Sequence, residues 1–485
     1  MTPQPRGYLM LMAIVFGAIF LTVLGALTGF VLTENRAQTS ATVATRATAI
    51  AEAGLEYYRW YLAHNPTDLT NGTGQPGPYV IPYDDPEGGQ TGTFTLSIDG
   101  NTSCGDITSI DIESTGTPIE SPQVSRTLTA RYARPTVAQF SYVLNSSVWA
   151  GEDRVIYGPY HSNGGIRMDG TANSPVTSSL EDWTCTSEFG CSGSWWGGYP
   201  TVDGVWGDGG DQALWEFPVP QVDFGGIAAD FSSLKTKANA SGRYLPRHSS
   251  GNTNNTNHWN GYHLIFNSNG TVTVRKVNGT TLLYSTAINA AENSLPDRTL
   301  ISSEAFYTTL TLPSDCGLIY VEDHVWIEGV VDGKVTVVAA NTASGIAPNV
   351  MLPGNLTYEE ADGSDGLTVI AENNILIAPN SPQTMTLNGI FVAQNGAFGR
   401  NYYWRSSSDS RCHTTYEPRN ALTILGTTVS NLRTGTKWTG VNCGADDEAG
   451  YNQRTDAFDR KLSTDPPPFT PRTSSDYEFV EWRED

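Results

Sequence analysis

The sequence predicts an α+β protein, mostly β, with a long N-terminal transmembrane helix, a small antiparallel β region and a C-terminal parallel β-helix-like solenoid. Three observations carry this expectation. Residues 8–32 contain no charged side chain. Charged residues are only 16% of the 485-residue chain, while 49 glycines and 27 prolines supply corners, a balance that favours β structure with many turns. One short phrase, two apolar residues followed by alanine, a variable residue and asparagine, recurs three times.

The apolar run "YLMLMAIVFGAIFLTVLGALTGFVL" lies between Arg6 and Glu34. At about 1.5 Å per residue, a helix of this length crosses the ~30 Å hydrocarbon layer. Cleavable signal peptides carry a shorter apolar region, so residues 8–32 read as a retained single-pass anchor. Arg6 is the only side-chain cation before it. The positive-inside tendency then places a short leader, 1–7, in the cytoplasm and the bulk of the chain outside, extracellular or periplasmic. Gly25 and Gly29 sit four apart on one face, the spacing that lets a second membrane helix approach closely.

No proline interrupts the chain until Asn65-Pro66, so one helix is expected over 8–64. In its outer half Ala47, Ile50, Ala51, Gly54, Leu55, Tyr58 and Leu62 recur at helical spacing and form an apolar stripe. That stripe, through Ala51, Leu55 and Tyr58, is expected to serve packing against partner helices, the alternative being docking on the chain's own domain.

Composition changes after the helix. Residues 66–135 read as a Pro/Gly-rich linker followed by antiparallel strands, because "TFTLSID", "SIDIESTGT" and "SRTLTARYARP" alternate apolar and polar residues. Residues 136–300 read as irregular and β-rich, with a short helix near 225–241 and a hairpin around Asn269-Gly270. Clustered tryptophans in "GSWWGGYPTVDGVWGDGGD" suit either a carbohydrate-stacking surface or packed corners.

Residues 301–435 hold the repeat: Val337-Val338-Ala339-Ala340-Asn341, Val369-Ile370-Ala371-Glu372-Asn373 and Phe391-Val392-Ala393-Gln394-Asn395. Copies of one strand-plus-turn unit at intervals of roughly 20–35 residues are the mark of stacked coils. Asn341, Asn373 and Asn395 are then the corners, where asparagine tolerates a left-handed backbone. The alternative is three strands of a sandwich. Residues 436–485 read as a C-terminal tail.

Six cysteines, none in a Cys-x-x-Cys arrangement, argue against zinc. In an exported chain they predict disulfides: Cys185 with Cys191, and Cys412 with Cys443, which flank the last rung. No metal site and no cofactor are expected. The net charge of -22, with no basic patch, argues against nucleic-acid binding. Catalytic motifs are not found, and His324 on its own in a strand reads as structural; the chain is not expected to be an enzyme.

The first 65 residues resemble the N-terminal segment of PilX-type minor pilins, pilin-like proteins of the type IV pilus and type II secretion class. The resemblance rests on Gly7 before a long apolar helix and on the element Ala51-Glu52-Ala53-Gly54. Asp465-Pro466-Pro467-Pro468 is similar to a tail of pilus-associated proteins. The resemblance implies cleavage by prepilin peptidase between Gly7 and Tyr8, helix-to-helix assembly with other pilin-like subunits, and a role in pilus assembly or surface adhesion, with host, surface or glycan ligands. Met12 stands where major pilins carry glutamate, which points to a tip or initiating complex instead of the shaft. The competing expectation is a membrane-anchored extracellular β-helix protein acting on polysaccharide, which requires two carboxylates, or an arginine or lysine near acidic residues, converging on one face.

Overall fold

The computed structural model describes residues 7–65, 68–248, 260–288, 294–343, 345–441, 443 and 448–484. Apart from Gly7 the expected leader lies outside these, as does Pro66. The chain is mostly β behind one long helix, and divides into two compact units. The first comprises Met1–Asn101, Ser109–Tyr132 and Glu481–Asp485, and the second Thr102–Thr108 and Ala133–Val480.

In the first unit, helix α1 runs unbroken from Tyr8 to His64, 57 residues. Its apolar periodicity explains where it packs: Val43, Ala47, Ile50, Ala51, Gly54, Leu55, Tyr58 and Leu62 are buried. The covering surface is a five-stranded sheet in the order β1 (Tyr79–Asp84), β2 (Gln90–Ser103), β3 (Asp106–Pro118), β4 (Arg126–Ala133) and the strand Glu478–Glu484. β1 and β2 are antiparallel. Alternating residues Phe94 and Leu96 on β2, Ile110 and Ile112 on β3, and Leu128 and Ala130 on β4 are buried, the period-two pattern of a sheet with one covered face. Contact is closest at Gly116, where a Cβ would lie 2.1 Å from the Ala47 carbonyl oxygen and 2.5 Å from the Ala51 amide nitrogen. Only glycine lets the two backbones meet there. Asn65 ends the helix, its N–H donating to the Tyr61 carbonyl at 2.9 Å. Just beyond, Asp68 accepts from the Thr70 and Tyr61 hydroxyls and from the Thr70 and Gly72 amides, which hold its carboxyl well below the usual range.

This arrangement decides the open question about the stripe. Ala51, Leu55 and Tyr58, offered by the sequence as a partner-packing face, are fully buried within the chain's own helix-and-sheet unit. A 3.6-residue period shows that a face is covered without showing by what.

The second unit is built on one large mixed sheet of 24 strands. Parallel pairings run through it as three ladders. One joins Arg243–Leu245, Leu318–Val321, Lys334–Ala339, Gly366–Ala371, Thr384–Ala393 and Pro418–Ser430, then continues into Tyr142–Leu144, Tyr160–Ser162, Val176–Ser178 and Trp215–Glu216. A second joins Gly261–Phe266, His324–Val331, Val350–Leu352, Ile375–Ile377 and Phe398–Gly399. The third passes from His324–Val331 to Leu356–Tyr358, Thr384–Ala393, Pro418–Ser430, Glu448–Ala457, Arg154–Tyr157 and Thr171–Ala172.

The repeated phrase falls in register on the first ladder: Val337 pairs with Val369 and Val369 with Phe391, while Ala339, Ala371 and Ala393 follow one another. Alternate residues point to opposite sides. Val337, Val369 and Phe391 join one hydrophobic cluster, and Val338, Ile370 and Val392 join another that includes Leu234 and Ala238 of the helix Phe231–Ala240. Both faces are therefore covered, as parallel strands require. Long strands reach two ladders by bending at glycine. Gly426, at φ +139, has the Gly389 carbonyl oxygen 1.9 Å from where a Cβ would be, so no other residue fits.

Three sequence expectations need correction. The parallel ladders are not confined to 301–435, since strands between 142 and 216 extend them; those strands are two to four residues long, too short to show a period. Residues 436–485 are not merely a tail, because Glu448–Ala457 pairs in parallel with two strands. Neither Asn341, Asn373 nor Asn395 has positive φ; the non-glycine residues that do are Asn71, Cys104 and Phe469. Of the three expected corners, Asn341 acts through a side-chain hydrogen bond instead. Asn341 Oδ1 accepts from the Ala343 amide at 2.9 Å. A separate pair of asparagines links successive turns: Asn349 Oδ1 accepts from the Asn374 amide at 3.0 Å and Asn374 Oδ1 from the Ala397 amide at 2.9 Å. His324 heads this chain, its Nδ1 accepting from the Asn349 amide at 3.0 Å, a structural role.

Candidate functional site

The first candidate is the exposed half of α1. Gly7 stands at the helix start with φ -84° and ψ -20°, and Tyr8 is 64% exposed. From Tyr8 to Leu32 every residue is exposed, and α1 is the one helix among the described residues long and apolar enough to cross a membrane. Gly25 and Gly29 have open space on all sides, with nothing within 4 Å of a built Cβ. Thr22, Thr28 and Thr33 turn their hydroxyls back to the carbonyls of Ile19, Leu24 and Gly29. Such back-bonding satisfies each hydroxyl where water is absent. The two halves of one helix thus differ in kind: one is covered by its own sheet and the other by nothing among the described residues.

The cysteines form three pairs. Cys185 faces Cys191 with Cα atoms 5.7 Å apart, and Cys412 faces Cys443 at 5.1 Å. Cys104 pairs with Cys316, 212 residues away, at 4.6 Å. The Cys104 amide also donates to the Asp315 carbonyl at 2.8 Å. No local spacing announces that third pair.

A cleft of about 440 Å³ in the second unit is lined by His263, Thr299, Ser303, Glu304, Glu328 and Asn380 among others. His263 lies between two carboxylates, Nδ1 2.8 Å from Glu304 and Nε2 3.2 Å from Glu328, and Arg275 reaches Glu304 at 2.7 Å. Burial alone would push the imidazole pKa down, but hydrogen bonds and charge from Glu328 and Glu304 outweigh it and leave the pKa above its ordinary value. The two carboxylates required for glycan chemistry do converge here. Glu304 is engaged by both Arg275 and His263, and Glu328 by His263. No sequence signal announces this cluster, because Glu304 and Glu328 come from different strands and neither belongs to a motif.

The raised histidine pKa has a consequence for stability. A group whose folded pKa exceeds its unfolded value, about 6.5 for histidine, stabilises fully below the unfolded value and loses that contribution as pH rises through the folded one. The difference in melting temperature between wild type and His263→Gln should therefore shrink as the pH rises above about 6.5. A difference independent of pH would show that folding leaves the imidazole pKa unchanged.

The tryptophan cluster divides in two. Trp183, with Phe189 and Cys185, is buried, and Trp149 and Trp206 pack against them. Trp195 and Trp196 are 93% and 95% exposed.

Together these features describe a long helix, apolar enough in its first half to cross a membrane and docked through its second half on a small antiparallel sheet, followed by a larger, disulfide-bonded β unit. No protein-family profile and no curated protein sequence matches the chain. Among solved structures, the competence-associated pilin ComZ from Thermus thermophilus is similar over 92% of this chain and 98% of that one, at 14% identity and a TM-score of 0.29. A likeness of that size carries no argument, and the functional reading rests on the residues themselves.

Proposed function

We propose that this chain is a PilX-like minor or tip subunit of a type IV pilus or a related secretion assembly, acting in pilus assembly or surface adhesion and not as an enzyme. Residues 8–32 anchor it with the N-terminus cytoplasmic and the rest outside, and prepilin peptidase cuts between Gly7 and Tyr8. The observation that carries this reading is the unbroken α1, 57 residues long. An enzyme tethered to a membrane needs only a flexible linker. A rigid helix that spans the bilayer and is also packed on a sheet fixes the position of the sheet relative to neighbouring helices, which is what assembly into a filament demands.

On this reading Gly25 and Gly29 face other subunits, while Ala51, Leu55 and Tyr58 hold the helix to its own sheet. We read the three parallel ladders of the second unit as the faces of a solenoid, each rung covering the apolar face of the next. The cleft around His263 gives the polysaccharide-cleaving alternative its carboxylates, yet Glu304 is held by Arg275 and both carboxylates are engaged by the His263 ring. Filaments sheared from intact cells should contain this protein, and a null strain should carry fewer or less adhesive filaments. Its absence from the filaments together with normal piliation in the null would defeat the proposal.

A further inference from the structure

The excursion between Asp182 and Asp203 is a short antiparallel hairpin closed at its neck and open at its tip. Asp182 pairs with Asp203, Trp183 with Val202 and Thr184 with Thr201, and the Cys185–Cys191 bridge sits directly beyond. The base is aromatic and rigid: the Trp183 and Phe189 rings meet edge to face at 4.9 Å, the Arg167 guanidinium lies 4.2 Å over Trp149, and Arg433 lies 4.8 Å over Phe189. At the tip, Ser194 and Gly198 exchange backbone hydrogen bonds, and the Ser194 hydroxyl accepts from the Gly197 amide at 2.8 Å. Tyr199 is fastened by its hydroxyl to Ser187 at 3.1 Å. This framework holds Trp195 and Trp196 almost wholly in solvent.

Two adjacent exposed indoles are a binding feature in need of an occupant, since large apolar side chains are normally drawn into a core. The charges of the hairpin narrow the choice. Between residues 181 and 203 there are four acidic side chains, Glu181, Asp182, Glu188 and Asp203, and no lysine, arginine or histidine. Stacking sites for single-stranded nucleic acid combine aromatics with cations that track the phosphates, and loops that enter anionic bilayers carry basic residues. Both classes of ligand would be repelled here. A neutral polyol is not repelled: its hydroxyls can donate to carboxylates, and the C–H faces of its rings are apolar and weakly positive, complementary to the negative face of an indole.

We propose that the Trp195–Trp196 turn is a binding site for neutral polysaccharide, the two indoles stacking on sugar rings while the stapled hairpin holds them out from the surface. This deepens the adhesive reading proposed above and rests on it for its biological setting, but the binding itself belongs to the purified chain. The test is co-sedimentation of the full-length protein, in a detergent without a sugar headgroup, with cellulose, chitin and starch. Trp195→Ala with Trp196→Ala is run in parallel, its melting curve serving as the fold control because neither side chain is packed. Retention by at least one polysaccharide, reduced tenfold or more in the double variant, is the expected result. Equal retention of both proteins, or no retention of the wild type by any of the three, overturns the proposal. So does tryptophan-dependent binding confined to oligo-deoxythymidine or to phosphatidylcholine vesicles, which would give the turn to another class of ligand. A chain that binds polysaccharide yet is absent from filaments would defeat the assembly reading alone. One found in filaments without such binding would defeat only this site.

Discussion

Gly116→Ala should detach α1 from its sheet. The added Cβ would meet the Ala47 carbonyl oxygen and the Ala51 amide nitrogen at 2.1 and 2.5 Å. Both are backbone atoms within a hydrogen-bonded helix, so no side chain can turn aside to make room. Relief requires the helix to lift, and lifting exposes Ala47, Ile50, Ala51 and Leu55, all essentially without solvent contact in the native state. Overpacking alone costs about 1–3 kcal/mol and backbone clashes more, so a loss of about 3 kcal/mol or above is expected for the first unit. For a domain of this size that lowers its melting transition on the order of 10 °C. Thermal unfolding followed by circular dichroism, with proteolysis of β1 to β4 as a local probe, reads the effect. An unchanged transition and unchanged protection would show that the close helix–sheet approach is not what holds the unit together.

The second large effect concerns assembly and leaves folding alone. Replacing Gly25 and Gly29 together by leucine adds bulk where the chain has open space, so the protein's own structure is undisturbed and the segment stays apolar enough to insert. Within a bilayer, helices associate by close van der Waals contact at small residues. Two leucines on that face hold a partner helix away. The variant should reach the membrane at wild-type levels and fall at least tenfold in sheared filaments. Normal incorporation would move the subunit contact to another face of α1.

These two glycine sites also mark how far the sequence could be read. Apolar spacing over residues 47–62 fixed a buried helical face because side chains three and four apart share a side, and all seven residues of that stripe are buried. The identity of the covering surface was not readable, since β1 to β4 reach the helix through distant segments. Similarly, the three Ala-x-Asn phrases occupy equivalent positions on adjoining strands, a periodic relation that survives in sequence. The strands between 142 and 216 are too brief to show any period, and the pairing of Cys104 with Cys316 and the meeting of His263, Glu304 and Glu328 depend wholly on chain topology. Tryptophan clustering marked the 183–206 region as aromatic; which indoles face inward is set by the hairpin register, and only Trp195 and Trp196 lie beyond the neck.

N-terminal sequencing of the mature protein, isolated from the cell surface, tests the central claim most directly. A pilin-like subunit has passed through prepilin peptidase, so the chain should begin at Tyr8 and retain the whole apolar half of α1. A chain that still carries the residues preceding Gly7, or one that begins beyond Leu32 because the apolar segment served as a cleaved export signal, would contradict it.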